Sequence, residues 1–230
     1  MGPVEYCLTG ALAMFAGVDR VAFGQFMISR PIVVGPLAGL ILGDALIGLE
    51  IGMLLELLWL GRLPVGAAIP PDDTQVTLGA TVLALHLEQT LTVHGMPLVL
   101  LCVLVAIPLG KFGQSFDRLA RNVNDRFNTK ALTALKKGDV SSMERLHLMG
   151  LGSFAFAGLA TATLIIFFGF LVLSFVAPFL VDSVRHAGLG LQYSLILVGA
   201  ASLLGTINVS RAVSLFSAAF TGTLLVMWLK

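Results

Sequence analysis

Charge is scarce in this chain. Of its 230 residues only 12% are Asp, Glu, Lys or Arg, against roughly a quarter in ordinary soluble domains. Hydrophobic residues make up 57%, and mean hydropathy is +0.95. A soluble core of this size could not hide so much apolar surface, which excludes that class and leaves an all-α polytopic integral membrane protein. Cysteine is nearly absent: Cys7 and Cys102 lie in apolar runs and read as small core residues, not as a disulfide framework. The four histidines, at 86, 94, 147 and 186, show no metal-ligand spacing. No phosphate-cradling glycine loop, Ser/His/Asp arrangement or dinucleotide motif is present. No metal, cofactor or nucleic-acid partner is therefore expected. Before the first apolar run there is also no basic n-region, so the N-terminus reads as mature sequence.

What is there is a series of apolar runs of unequal quality. Residues 4–18 form the first, followed by a polar-studded stretch containing Asp19, Arg20, Gln25 and Arg30. Residues 31–42, 45–60 and 74–91 predict three helices; the first two are short for the 17–25 residues a crossing needs, and the third is only moderately apolar, with His86, Glu88 and Gln89 near its end. Residues 96–109 predict another, again too short for a clean span. Such pieces read as half-helices or re-entrant hairpins, tolerated at membrane depth only where protein or a cavity surrounds them. The fold expected is thus a helical bundle with broken or re-entrant helices. Residues 148–181, 189–209 and 212–229 predict smoother spans.

Residues 111–147 are the soluble stretch, with eight of the 14 basic residues and four acidic ones. The positive-inside rule makes this segment cytoplasmic. Phe116, Leu119, Val123 and Phe127 recur at helical spacing, which predicts an amphipathic helix lying along the membrane, with Gly138-Asp139 as a turn. Its basic residues suit anionic lipid headgroups or a docking protein. The chain divides accordingly into a broken, site-bearing part (1–110), the basic loop (111–147) and C-terminal spans (148–230), with no visible internal repeat.

The costly residues concentrate in 29–73. Asp44, Glu50 and Glu56 lie in otherwise apolar sequence, where an ionised side chain costs at least a few kcal/mol unless it faces protein or a watery cavity. Gly35, Gly39 and Gly43 form one stripe at i, i+4 spacing, and Gly48 and Gly52 form another, as close helix packing in lipid requires. Continued along a helix, the second stripe carries Asp44 and Glu56 inward and turns Glu50 away. Glu56 either caps a neighbouring half-helix or binds a polar ligand, with Trp59 one turn on. Residues 61–73, GRLPVGAAIPPDD, hold Pro64, Pro70 and Pro71, which forbid continued helix. Gly66, Ala67 and Ala68 permit close backbone approach, and unwound backbone at membrane depth offers N–H and C=O groups to a substrate. One of Asp72 and Asp73 can cap the next helix, leaving the other free.

These residues carry a resemblance. RPIVVGPLAGLILGD (30–44), GLEIGMLLELLWLG (48–61) and VGAAIPPD (65–72) resemble the IIC subunit of the mannose–fructose–sorbose family, a membrane component of the bacterial phosphoenolpyruvate-dependent sugar phosphotransferase system. The resemblance implies one IIC membrane domain over 1–230, in the bacterial cytoplasmic membrane, carrying a hexose-like sugar inward. It implies no catalytic residue in this chain. Phosphoryl transfer belongs to the soluble IIA and IIB subunits, and a IID membrane subunit completes the pathway, in homo-oligomers of IIC–IID units. The sugar-binding residues implied are Glu56, Asp72, Gly66, Ala67, Ala68 and Gln25. Arg20 is more polar than the resemblance leads one to expect.

Other readings fit less well. An intramembrane aspartyl protease would need a Gly-x-Gly-Asp signature and a second aspartate motif, but position 41 is Ile. A secondary transporter of a small polar solute, driven by protons or sodium through Glu56, is the principal alternative. A purely structural membrane subunit is the last.

Overall fold

A computed structural model of the protein describes residues 2–61, 69–88, 95–206 and 211–228. Among them are seven helices and no strand. The helices are α1 (Pro3–Val21), α2 (Pro31–Leu42), α3 (Ala45–Trp59), α4 (Asp73–Glu88), α5 (Met96–Lys136), α6 (Val140–Thr206) and α7 (Ala212–Trp228).

The glycine stripes of 29–73 meet each other. A Cβ at Gly35 would strike the backbone of Gly48 and Gly52, and one at Gly39 would strike Asp44 and Ala45. From the other side, Gly48 faces Gly35 and Gly39, while Gly52 faces Pro31 and Ile32. Helices α2 and α3 are thus an antiparallel hairpin in backbone contact, the arrangement that small residues at i, i+4 allow in lipid. Gly43 makes the reversal possible with φ +103°, a left-handed conformation that other residues adopt only at a cost. Asp44 then starts α3, its Oδ1 accepting from Leu46 N (2.8 Å) and Ile47 N (3.2 Å). It is an N-cap lying just before the helix, so the inward stripe begins at Gly48. At about 18 and 22 Å, the two limbs are shorter than the ~30 Å hydrocarbon core.

Helix α4 is the centre of the bundle. Every residue from 74 to 85 is buried, because α1, α2, α3, α5 and α6 all pack on it. Burial on every side suits its composition of small and apolar residues. Two of its threonines are satisfied within the helix: Thr77 and Thr81 hydroxyls donate to the carbonyls of Asp73 and Thr77 (2.8 Å each). The main core gathers Ile51, Leu55 and Trp59 of α3 with Leu83 and Leu87 of α4, residues 98–103 of α5 and Ile165 and Leu173 of α6. Trp59 is therefore a core residue. Cys102 is buried as expected, but Cys7 is exposed on α1, a correction to its reading as a core residue.

Two boundaries differ from the hydropathy pattern. The run predicted to end at residue 109 continues without a break to Lys136, through Pro108. The basic amphipathic segment is the distal part of α5, and its partner is the start of α6: Asn124 Nδ2 donates to Gly150 O (3.3 Å), and Ser153 Oγ to Asn124 Oδ1 (2.9 Å). Of its apolar stripe, Phe116, Val123 and Phe127 are partly buried and Leu119 is exposed, and it continues α5 instead of forming a separate helix along the membrane. Likewise residues 148–181 and 189–206 of the next two predicted spans belong to one helix, α6, 67 residues long, while 207–209 lie outside the described residues. Asp182, Ser183, Arg185 and His186 lower the local hydropathy between the two runs, but the helix continues through them. Gly138 (φ +72°) turns the α5–α6 hairpin. Asp139 then caps α6, its Oδ1 accepting from Ser142 N at 3.0 Å. Hydrogen bonds from Ser142 hold the Asp139 carboxyl below the usual range, so the cap is intact above that range and lost as pH falls through the lowered value.

Replacing Gly48 with Leu should prevent close approach of α2 and α3 and lower stability by about 1–3 kcal/mol or more. Gly152→Ala, in open space, should be neutral. Thermal unfolding of the purified protein in detergent compares the two.

Candidate functional site

The polar centre lies where α1 ends and α4 begins. Pro70 and Pro71 exclude helix and deliver the chain into α4 with Asp72 as its cap: Asp72 Oδ1 accepts from Gln75 N at 3.1 Å. That leaves two adjacent carboxylates in a largely apolar setting. Arg20, from the last turn of α1, answers both, with Nη1 2.9 Å from Asp72 Oδ1 and Nη2 2.8 Å from Asp73 Oδ1. Nη2 also donates to Pro71 O at 3.0 Å. Arg20 and Asp72 side chains are each 12% exposed. Helix α5 closes the far side: Asp72 N donates to Gly110 O (3.1 Å), and Gln114 Nε2 to Ile69 O (2.6 Å). Gly110 and Gly113 leave no room for a Cβ against Val76 and Asp72.

A second carboxylate sits on the α2–α3 hairpin. Glu56 forms an ion pair with Arg30, the N-cap residue of α2, and accepts from Ile32 N at 3.3 Å. Of its two sequence readings, the structure realises the cap on a neighbouring half-helix. Glu50, expected to point away, is only partly buried. The two carboxylate clusters are joined through residues 29–30 and 74, since Thr74 Oγ1 donates to Ser29 O at 2.7 Å.

Between them runs the segment 22–30, held by Asp19. This carboxylate is buried and accepts from Phe26 N (2.7 Å) and Ser29 N (3.0 Å). Gly24, Gln25 and Met27 all have positive φ, a cost that Asp19 and the helix ends on either side offset. Gln25 is exposed at the tip of this loop. Gly66, Ala67 and Ala68 lie outside the described residues.

Of the residues expected to bind substrate, the fold therefore brings Asp72, Glu56 and the Gln25 loop into one region. It adds Asp19, Arg20, Arg30 and Gln114, which the sequence reading did not assign to it. A signal for two of these was present: Arg20, Arg30 and Arg62 are the three basic residues before Lys111, and intramembrane carboxylates are paired. Gln75 is fully buried, its Nε2 donating to Ala13 O at 3.0 Å. Nothing in the sequence pointed to it.

Chemically, Asp72 Oδ1 is committed to Arg20 and Gln75. The cavity beside the carboxylate, lined by Gly17, Arg20, Asp72, Gly113, Asp117 and Thr161, measures about 20 Å³, room for about one water. A small-molecule site takes roughly 300–1,000 Å³, so this conformation is closed around the carboxylates. Among the described residues no His/Cys/Asp/Glu group could hold a metal. Glu56, clamped by Arg30 and a backbone N–H, is also poorly arranged to load and release a coupling ion.

Comparison with known proteins gives concordant matches. The family described as "PTS system sorbose-specific iic component" matches residues 3–228. A mannose-specific EIIC component of the PTS from Escherichia coli (strain K12) is 27% identical over 148 residues, 64% of this chain and 52% of that protein. A sorbose-specific EIIC component from Klebsiella pneumoniae is 29% identical over 137 residues, 60% of this chain and 48% of that one. The chain thus spans about half the length of the curated relatives it matches. Two solved structures, each 21% identical, share its fold over 97% of this chain and 87% of theirs. One is described as a membrane protein (TM-score 0.75), the other as the mannose transporter ManYZ in complex with Microcin E492 (TM-score 0.65).

Replacing Arg20 with Gln should lower stability by about 3–5 kcal/mol, because two carboxylates lose their counter-charge. Adding Asp73→Asn should recover part of the loss, giving a coupling energy in a double-mutant cycle measured by thermal unfolding.

Proposed function

The chain belongs to the PTS sorbose-specific IIC family, and on that premise we propose that it is the sugar-translocating membrane subunit of a phosphoenolpyruvate-dependent phosphotransferase system. In this reading it crosses the bacterial cytoplasmic membrane several times, with the basic α5–α6 hairpin in the cytoplasm. It pairs with a IID membrane subunit, and IIC–IID units associate further. It delivers a hexose-like sugar to IIB, which phosphorylates it using a phosphoryl group relayed from IIA. The names of the relatives support a hexose class: mannose, sorbose and, for a putative permease of E. coli (strain K12) that is 41% identical over 76 residues, N-acetylgalactosamine.

The observation that carries the reading is the carboxylate region at the start of α4. Sugar hydroxyls are donors, and a carboxylate in a low-dielectric site is their strongest uncharged-ligand partner. Asp72 supplies that acceptor and Arg20 fixes its orientation. Glu56, Gln25 and the backbone at Gly66, Ala67 and Ala68 complete the binding surface. The one-water cavity means that a sugar is admitted only when the packing around Asp72 opens, or when IID supplies the remaining wall. Alternation between that open form and the closed one moves the sugar without any chemistry in this chain.

The test uses membranes containing the full chain, IID and charged IIB. Labelled sugar should appear inside as sugar phosphate, and only with phosphoenolpyruvate. Asp72→Asn should weaken sugar binding by roughly 10- to 100-fold, the worth of one or two hydrogen bonds to a charged group, in a complex that still assembles. Accumulation of unmodified sugar on a proton gradient alone would overturn the proposal.

A further inference from the structure

A second cavity lies far from the carboxylates. Helices α1, α4 and α6 diverge around a groove of about 470 Å³. Gly10 and Ala13 of α1, Leu78 and Val82 of α4, and Leu159 and Ile166 of α6 line it. Polarity is concentrated at one end, where Tyr6 Oη lies 3.0 Å from His86 Nδ1. The His86 ring also meets Phe170 edge-on, with centroids 5.6 Å apart.

Three features identify the occupant. First, on α6 the groove runs from Leu159 to Phe170, about 16 Å of helix rise, which is close to the depth of one bilayer leaflet. Second, the lining along that length is apolar, from Gly10 and Ala13 through Leu78 and Val82 to Leu159 and Ile166, as an acyl chain requires. Third, the Tyr6–His86 end is the end remote from the basic hairpin: Phe170 lies 30 residues along α6 from Val140, about 45 Å. A polar, aromatic rim above an apolar channel is the pattern of a side chain set at the membrane–water interface.

We propose that this groove is a binding site for one phospholipid of the leaflet opposite the basic hairpin, with an acyl chain in the groove and the phosphate hydrogen-bonded by Tyr6 and His86. The choice of leaflet rests on the membrane orientation stated above; the site itself does not depend on sugar transport. The lipid lies against Gly10 of α1 and Leu159 of α6, beyond which Ala13, Gly17 and Gly158 bring the two helices into close contact.

Native membranes containing the full chain and its membrane partner are exposed to a phosphatidylglycerol bearing a diazirine on one acyl chain. The sites labelled after photolysis are mapped by mass spectrometry. Labelling should concentrate on Leu159, Thr163 and Ile166 over Phe156 and Phe175, which are 67% and 70% exposed elsewhere on α6. Gly10→Leu, which meets only Leu159 at ordinary contact distance, should cut groove labelling by about tenfold or more, as expected when a buried chain segment is displaced, while Phe156 labelling is unchanged. Unchanged thermal unfolding of the variant shows that its fold is kept. Tyr6→Phe should erase the preference for phosphatidylglycerol over a diacylglycerol with the same chain. Equal labelling of the groove and of Phe156 would overturn the site. So would groove labelling that appears only when the membrane partner is removed, since protein would then fill the channel. Equal labelling by diacylglycerol and phosphatidylglycerol in the wild type would overturn the headgroup assignment. Because no sugar or phosphoryl donor is present, failure of the transport reading leaves each of these outcomes unaffected.

Discussion

Arg20 sits among apolar helices with two adjacent carboxylates and a proline carbonyl, and the surrounding architecture follows from that placement. Neither Asp72 nor Asp73 can remain ionised in such a setting without a partner, and Arg20 cannot either. The end of α1 and the start of α4 are therefore obliged to meet. Because Asp72 also caps α4 and donates its own N–H to Gly110, the same contact fixes α5. A buried ion pair of this kind adds little net stability over an apolar substitute, but it permits few alternative packings. Its value here is in specifying one junction of three helices.

The hairpin of α2 and α3 poses a different constraint. Its limbs are too short to cross a bilayer, so both ends must lie on the same side of the barrier or within protein. Backbone contact through Gly35, Gly39, Gly48 and Gly52 makes it a stiff unit. Its mouth is clamped by Glu56 on Arg30, and its first strand of loop is tied to α4 by Thr74 on Ser29. Apolar packing holds the hairpin to the bundle as well, through Val34 and Ala38 of α2 and Ile51, Leu55 and Trp59 of α3. In this closed form the carboxylates serve as structural partners, Asp72 and Asp73 of Arg20 and Glu56 of Arg30.

Much of this was legible in the chain. The bounds of α2 coincide with the predicted run, since Pro31 and Gly43 punctuate it at either end. The facing glycine stripes and the inward direction of Glu56 followed from helical spacing. Other elements misled for definable reasons. Hydropathy marks where a segment meets water, whereas helix boundaries depend on caps and backbone hydrogen bonds. So α5 passes from apolar into basic sequence without ending, and α6 absorbs two predicted spans. The amphipathic stripe around Phe127 announced an apolar face but could not say what it meets; Phe127 faces the start of α6 across an open groove, while Leu119 stays exposed.

The sequence by itself determined the membrane class, the short broken helices, the location of the costly carboxylates and, through the motifs of residues 30–72, the family. All of these depend on local composition or on spacing along one helix. Only the tertiary structure decided which charges pair. Arg20 with Asp72 and Asp73, and Arg30 with Glu56, are separated by 26 to 53 positions, and no periodicity within a helix reports on that distance. The opening reading of scarce charge changes accordingly: each isolated carboxylate of the first half that had looked like a free ligand group is, in the folded chain, already holding a helix end or a cation in place.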